Sequence, residues 1–328
     1  MAKKKSLVLG CSGQDGALLS LSLLKQDHEV IGTSRKLKTN KSQNIANHSI
    51  LGIEKDIKLV NCDITNFDEV SNLIEKYKPI EIYNLAAQSS VGESFDYPQE
   101  TLKSIVEVTI NLLEVSRKIE YNGNLFFAGS SEVFGNTESR ANINKKHRPA
   151  NPYGIAKQTS FNLVKLYRNL HNLKCVTGIL FNHESPLRSK KFVTQKIISE
   201  ALLCSKNKSH KLRIGNINIK RDWGWAEEFV EGFQVMNRTK NLKDQIICTG
   251  KSTKLEKFIK IVFKKLNLYW RDHVVVDSDL FRKGEIHQSY GDPTQMKIDL
   301  DWKAKVELET IIEKLIEFKL NPKSRVQL

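Results

Sequence analysis

The chain has 328 residues, 40% of them hydrophobic, enough for one large α/β unit and a smaller lobe with real cores. Its 52 Lys and Arg against 37 Asp and Glu give a formal charge of +15, but the cations are spread among acids along the whole length. No segment interleaves them with aromatics, so a nucleic-acid groove is not expected, while the positive field would still attract small anions. No apolar run reaches membrane-spanning length, and Met1-Ala2-Lys3-Lys4-Lys5 leads directly into a strand pattern, so a cytoplasmic protein without membrane association is expected. Cys11, Cys62, Cys175, Cys204 and Cys248 lack paired spacing, which predicts buried free thiols with neither a metal site nor a disulfide framework.

In chain order, Ser6-Leu7-Val8-Leu9 reads as a short buried strand, Gly10-Cys11-Ser12-Gly13-Gln14-Asp15-Gly16 as a glycine-rich turn, and Ala17 to Leu24 as a helix. In that setting backbone amides can approach a pyrophosphate at a helix N-terminus, so Gly10, Gly13, Gln14, Asp15 and Gly16 are expected to cradle a dinucleotide. The G-x-x-G-x-x-G spacing is the variant associated with Rossmann domains of the short-chain dehydrogenase type. Val30 to Thr33 forms the second strand and runs into Ser34-Arg35-Lys36. An acid at this strand end would hold a ribose 2′-hydroxyl, whereas Arg35 suits a 2′-phosphate; Glu29 lies at the opposite end, so NADP is the expected cofactor. The third strand, Ile57 to Val60, is followed by Asp63, placed to meet an adenine amino group. The fourth, Ile82 to Ala86, runs into small residues through Ser90 that let the backbone lie against a dinucleotide. Asn124 to Phe127 and Cys175 to Leu180 are further strands, and amphipathic segments at 69–76, 100–119 and 154–169 separate them.

This alternation predicts an α/β fold, a Rossmann-type doubly wound parallel sheet. Helical patterns follow at 192–205, 227–238, 255–267 and 308–318, with no Pro- or Gly-rich linker between the halves. A smaller, discontinuous C-terminal substrate-binding lobe is therefore expected to grow out of the sheet rather than to hang from it. Residues 1–180, with later returns near 215–250, would form the cofactor domain, and 181–214 with 251–328 the lobe.

The chemistry concentrates after the fifth strand and at the start of the helix that follows. Tyr153 and Lys157, four apart on a helix, share a face, and an ammonium beside a phenol favours the phenolate and brings it within reach of a base's work. Gly129-Ser130-Ser131-Glu132 falls beyond the carboxyl end of a strand, where ligands lie in open α/β sheets. A Ser130 hydroxyl can bond a substrate oxygen and pass a proton with Tyr153. Glu132 adds a second acid/base, which hydride transfer alone does not require and elimination of water does.

With these blocks in place, the chain resembles the GDP-mannose 4,6-dehydratase family of the extended short-chain dehydrogenase/reductase superfamily. Shared blocks are Gly-x-x-Gly-Gln-Asp-Gly at 10–16, Tyr83 to Ser89, Gly129 to Gly135 and Pro152-Tyr153-Gly154. Narrower are Phe181-Asn182-His183-Glu184-Ser185-Pro186, Phe192-Val193-Thr194 with Lys196-Ile197, and Arg221-Asp222-Trp223-Gly224; Phe281-Arg282, Gly291-Asp292-Pro293 and Trp302-Lys303 continue the likeness. The resemblance implies an internal redox cycle on a GDP-hexose: Tyr153, aided by Lys157, takes the C4 hydroxyl proton as hydride leaves for NADP, Glu132 removes the C5 proton, water departs from C6 with help from Glu132 or Ser130, and the hydride returns to C6. It also implies cofactor contacts from Ile64, Leu85, Ala86, Ala87 and Ser89, and substrate contacts from Ser90, Ser131, Asn182, His183, Glu184, Arg188, Val193, Lys196, Arg221, Arg282 and Glu285. Arginines suit a diphosphate.

Departures from the family pattern are Ser90 for His, Leu187-Arg188 for two arginines, and Lys283 for Pro. The Arg-rich loop after the second strand is reduced to Arg35, Lys36, Lys38 and Lys41. A homodimer is therefore expected more firmly than a homotetramer. The changes leave room for another GDP-sugar such as a GDP-heptose, for a sister 4-keto reductase or epimerase, and for a non-catalytic NADP-binding paralogue.

Overall fold

Side chains alternate between two buried clusters along the first strand: Leu7 and Leu9 join one, Val8 the other. That period-two split is what a strand covered on both faces requires. The computed structural model describes residues 3–34, 46–282 and 284–321. Within them, β1 (Lys5–Leu9), β2 (Glu29–Ser34), β3 (Ile57–Asn61), β4 (Glu81–Asn84), β5 (Asn124–Ala128) and β6 (Cys175–Leu180) make an all-parallel sheet, with Gln245–Ile247 added beyond β6. The order from one edge is β3, β2, β1, β4, β5, β6 and then Gln245–Ile247. The chain winds outward from β1 to β3, then returns to the other side of β1, so a crevice opens between the ends of β1 and β4.

Helices α1 (Gln14–Lys25), α2 (Ala46–Leu51), α3 (Phe67–Tyr77), α4 (Val91–Asp96), α5 (Pro98–Leu102), α6 (Val108–Lys118) and α7 (Pro152–His171) belong to the winding half. After β6 come α8 (Val193–Lys206), α9 (Ala226–Arg238), α10 (Leu255–Lys265), α11 (Thr294–Leu300) and α12 (Leu308–Leu320). One face of the sheet is covered by α1 and α9, whose Leu19, Leu23, Phe229 and Phe233 meet Val8, Tyr83 and Phe126. The other is covered by α3, α6 and α7, whose Leu73, Leu112 and Val164 meet Leu7, Leu125 and Phe127. A third core joins α8, α10 and α12 through Ile197, Phe258 and Ile312 and takes in Trp223 and Trp225. No described helix is long and apolar enough to cross a membrane.

The α/β class and all six predicted strands are present, with two adjustments. The fourth strand stops at Asn84, where its partner β1 ends at Leu9, so Leu85 and Ala86 lie beyond the sheet. The segment 100–119 is not one continuous helix: Lys103–Glu107 form a π turn between α5 and α6. All five cysteines are free and buried. Arg35, Lys36, Lys38, Lys41 and Lys283 lie outside the described residues.

Candidate functional site

At the crevice the β1–α1 turn and the segment after β4 almost touch. Gly10 has φ +80° and a Cβ built on it would come 2.8 Å from both Cα and N of Ala86, so only glycine permits the approach. Gly13 then caps α1 without a side-chain hydrogen bond, which leaves first-turn N–H groups open to an anion. The residues present thus suit a dinucleotide: a turn with glycine at its closest approach to Ala86, an uncapped helix start, and the small residues Ala86, Ala87 and Ser89 after β4.

Next to this cradle, between the strand ends and the C-terminal lobe, lies a cavity of about 310 Å³. The sheet side of its wall is built from Asp15, Leu85, Ala87, Ser89, Ser90, Ser130, Ser131, Glu132, Tyr153 and Lys157. Asn182, His183, Arg188, Val193, Arg221, Arg282 and Glu285 form the lobe side. The small ends of β4 and β5 leave the room, and the long polar side chains of the lobe close it.

Helix α7 positions the tyrosine and lysine. Asn151 Oδ1 accepts from the Gly154 N–H at 2.8 Å and Pro152 occupies the first turn, both strong start signals. Tyr153 and Lys157 fall one turn apart, both buried, with Lys157 Nζ 5.7 Å from the Tyr153 ring centre and donating to Ala128 O at 2.8 Å. Burial pushes the Tyr153 phenol up to about 12; the Ser130 hydrogen bond and the Arg188 charge pull it down, and Glu132 and Asp15 push it further up. Burial likewise lowers Lys157 to about 8, opposed by Asp15. Lys157 is aimed at the carbonyl at the end of β5, and loss of water is the largest influence on both groups.

Ser130 and Glu132 sit at the start of a 3₁₀ turn, Ser131–Phe134, where Ser130 Oγ accepts from the Glu132 N–H at 3.2 Å. Glu132 Oε2 accepts from Asn151 Nδ2 at 2.7 Å. Arg221 is lowered by burial, against the charges of Glu132 and Glu285. Glu285 in turn accepts from Asn216 Nδ2 at 2.9 Å. A cavity wall that carries a phenol, an ammonium, a hydroxyl and a carboxylate can move protons at two neighbouring carbons, and the arginines of the opposite wall suit phosphate oxygens.

Asp15 faces His183 Nε2 at 3.0 Å, while His183 Nδ1 lies 2.7 Å from Phe181 O. Burial would raise Asp15, but His183, the Gln14 amide and Arg188 together hold it near 2. Gln14 Oε1 accepts from Ser185 Oγ at 2.9 Å, so the glycine turn is tied to the segment after β6 through two side chains. The sequence marked all four residues as ligand contacts or family blocks, but not as a link between the two sides.

Asp63, Ile64 and Glu184, expected ligand contacts, are not part of the cavity wall. Asp63 is exposed and its carboxylate accepts from Thr65 N at 3.0 Å and Thr65 Oγ1 at 2.7 Å, because an Asp two residues before a turn N–H bonds locally. Ile64 is buried in the core beside α3. Glu184 points away from the cavity: it is 1% exposed, accepts from Thr194 Oγ1 at 2.6 Å and pairs with Arg188 at 3.7 Å. Lys196 does not line the cavity wall either. Asn151 is the polar residue whose part the sequence did not reveal, although an Asn before Pro and a helix pattern is a capping signal.

Several solved structures share this architecture. The UDP-glucose 4-epimerase of Thermotoga maritima superposes with a TM-score of 0.85 at 20% identity, covering 97% of this chain and 99% of that one. The dTDP-glucose 4,6-dehydratase of Bacillus anthracis, in complex with NAD, gives 0.83 at 18%, covering 98% of each chain. At those identities the likeness is one of fold. Among curated proteins, GDP-mannose 4,6 dehydratase 1 of Arabidopsis thaliana is 34% identical over 96% of this chain and 89% of its own length. The human GDP-mannose 4,6 dehydratase is 31% identical over 95% and 90%. The family model described as GDP-mannose 4,6 dehydratase matches residues 7–315, from the first strand to the last helix and across both walls of the cavity, and the chain belongs to that family.

Proposed function

We propose that the protein dehydrates GDP-mannose to a GDP-4-keto-6-deoxy sugar, with NADP bound throughout the cycle. The observation that carries this reading is the Glu132 carboxylate in the same cavity wall as Tyr153, Lys157 and Ser130. A simple dehydrogenase, reductase or epimerase has no use for a second acid/base at that place; elimination of water does.

Tyr153 takes the proton of the C4 hydroxyl, and Lys157 holds the phenol's surroundings positive while anchored to Ala128 O. When bound, the nicotinamide dinucleotide supplies a hydride acceptor at C4 and a donor at C6, so the net reaction is loss of water. With C4 a ketone, the C5 proton is acidic and Glu132 removes it. The C5–C6 double bond forms as the C6–oxygen bond breaks, and the proton on Glu132 leaves with that oxygen as water; the proton that Tyr153 took from the C4 hydroxyl is returned at C5 as C6 is reduced, which leaves both residues as they began. Ser130 bonds the C4 oxygen beside Tyr153. Gly10, Gly13, Gln14, Asp15, Gly16, Leu85, Ala86, Ala87 and Ser89 hold the dinucleotide, with Asp63 and Ile64 at its adenine end, and Arg35 is the residue that favours the 2′-phosphate. Arg188, Arg221 and Arg282 bind the diphosphate, and Ser90, Ser131, Asn182, His183, Val193 and Glu285 shape the remainder of the GDP-sugar site. We place the protein in the cytoplasm as a homodimer formed on the outer face of α7, where Ile155, Leu166 and Leu170 are 49%, 47% and 65% exposed at helical spacing.

The test is incubation of the purified protein with GDP-mannose, followed by mass spectrometry of the nucleotide sugar and analysis of the cofactor released on denaturation. Loss of one water per sugar with no net change in reduced cofactor, and NADP in the extract, is the expected result. A stoichiometric change in reduced cofactor would mark a reductase instead, and NAD in the extract would remove the role given to Arg35.

A further inference from the structure

The carboxylate that the reaction needs does not sit on the same element as the tyrosine and lysine; the Asn151 side chain ties it to the start of their helix. Asn151 is 3% exposed, and its amide is used at both ends. Oδ1 accepts from the Gly154 N–H at 2.8 Å, fixing the first turn of the helix that carries Tyr153 and Lys157, and Nδ2 donates to Glu132 Oε2 at 2.7 Å. The two elements are also pressed together at this point: a Cβ on Gly154 would lie 2.8 Å from Glu132 O and 3.0 Å from Pro149 Cβ. Helix capping alone would be met by a serine, whose hydroxyl caps as well as an asparagine oxygen does. A serine would not supply the second arm. An amide neither gains nor loses a proton near neutrality, so it can hold a carboxylate without competing for the proton that carboxylate must carry. Arg221, on the opposite wall, feels the charge of Glu132.

We propose that Asn151 is a positioning residue that locks Glu132 at a fixed place relative to Tyr153, so that removal of the C5 proton follows C4 oxidation in one sugar pose. The proposal rests on the dehydratase reading. Its test uses Asn151→Ser, which keeps the cap, and Asn151→Asp, which keeps the cap and sets a second carboxylate against Glu132. On rapid mixing with GDP-mannose, Asn151→Ser is expected to reduce its bound cofactor at near the normal rate and to accumulate it. Its kcat for product should fall ~10–100-fold, up to the lower end of the ~10²–10⁴-fold that general acid/base catalysis contributes, with KM within about twofold. Asn151→Asp is expected to fall further. Cofactor content and the melting temperature of Asn151→Ser should stay close to those of the unsubstituted protein. The double variant Asn151→Ser/Glu132→Gln should release product no more slowly than Glu132→Gln alone. An unchanged kcat, or equal losses in cofactor reduction and product release, would overturn the proposal. A crystal structure of Asn151→Ser reads the same point without turnover. A Glu132 carboxylate swung off its place with Gly154 still capped supports the lock, and an unmoved carboxylate overturns it. If the carboxylate moves as expected but the unsubstituted protein gives no 4-keto sugar, the dehydratase reading falls and the lock stands.

Discussion

In the proposed reaction Tyr153 and Glu132 carry out two separable proton transfers, and substitution should separate them. Tyr153→Phe removes only the phenolic oxygen from a buried side chain, so fold and cofactor content should survive while C4 oxidation falls by at least the ~10²–10⁴-fold typical of general acid/base catalysis. Neither product nor transient reduced cofactor should appear on mixing with GDP-mannose, and a variant that accumulates reduced cofactor would remove Tyr153 from the first step. Glu132→Gln keeps the shape of the side chain and its acceptor oxygen towards Asn151 but not the base. It should show reduced cofactor without product, read by absorbance and mass spectrometry together. Lys157 makes a prediction about stability. Its ammonium is held near 8 in the fold against an ordinary 10.5, so the folded state carries a penalty at neutral pH that disappears as the medium becomes alkaline. Between those values the unfolded chain binds more protons than the folded one, and stability rises with pH. The unsubstituted protein should therefore gain on Lys157→Met across that window, by on the order of 3 kcal/mol in denaturant melts; a constant gap would show that Lys157 is not depressed.

At the scale of elements, the site is made by contacts that fix where two ends meet. The β1–α1 turn must pass within contact distance of the segment after β4, and Gly10 is the residue that allows it. In Gly10→Ala the φ of +80° and the 2.8 Å approach to Ala86 backbone act together. The conformation alone costs about 1–3 kcal/mol, so the variant should melt earlier and lose its dinucleotide on gel filtration. Retention of cofactor at the normal level would show that the turn can move aside. Helix α7 was legible from residue types, since Asn before Pro, then a Tyr-x-x-x-Lys pair over an apolar pattern, specify both its start and its buried face. The π turn at Lys103–Glu107 was not, because the apolar spacing of 100–119 continues through it. The two- and three-residue strands outside the main sheet, such as Lys220–Arg221 and Asn182–Glu184, were equally invisible: segments that short have no periodicity, and their pairing partners lie far along the chain.

For the whole molecule, the outer face of α7 makes the largest prediction. Ile155, Leu166 and Leu170 point away from the sheet that the rest of the helix covers. In the proposed dimer Leu166→Glu should desolvate a charge at the interface and shift the species seen by light scattering from dimer towards monomer, with cofactor still bound. An unchanged mass would move the interface elsewhere. The sequence by itself determined the alternating β and α order, the glycine turn, the Tyr153, Lys157, Ser130 and Glu132 set and the family, because each is written in local spacing or in contiguous blocks of residue types. Tertiary structure alone decided that Glu184 turns inward to Thr194 and Arg188 and that Asp63 bonds to its own turn. It also decided that Asp15 pairs with His183, that burial raises the Tyr153 phenol, and that Asn151 reaches Glu132. Each of these depends on which side chains from distant segments converge and on how much water they exclude. Local sequence carries neither quantity, since residue type fixes what a group can bond but not the neighbour it is given.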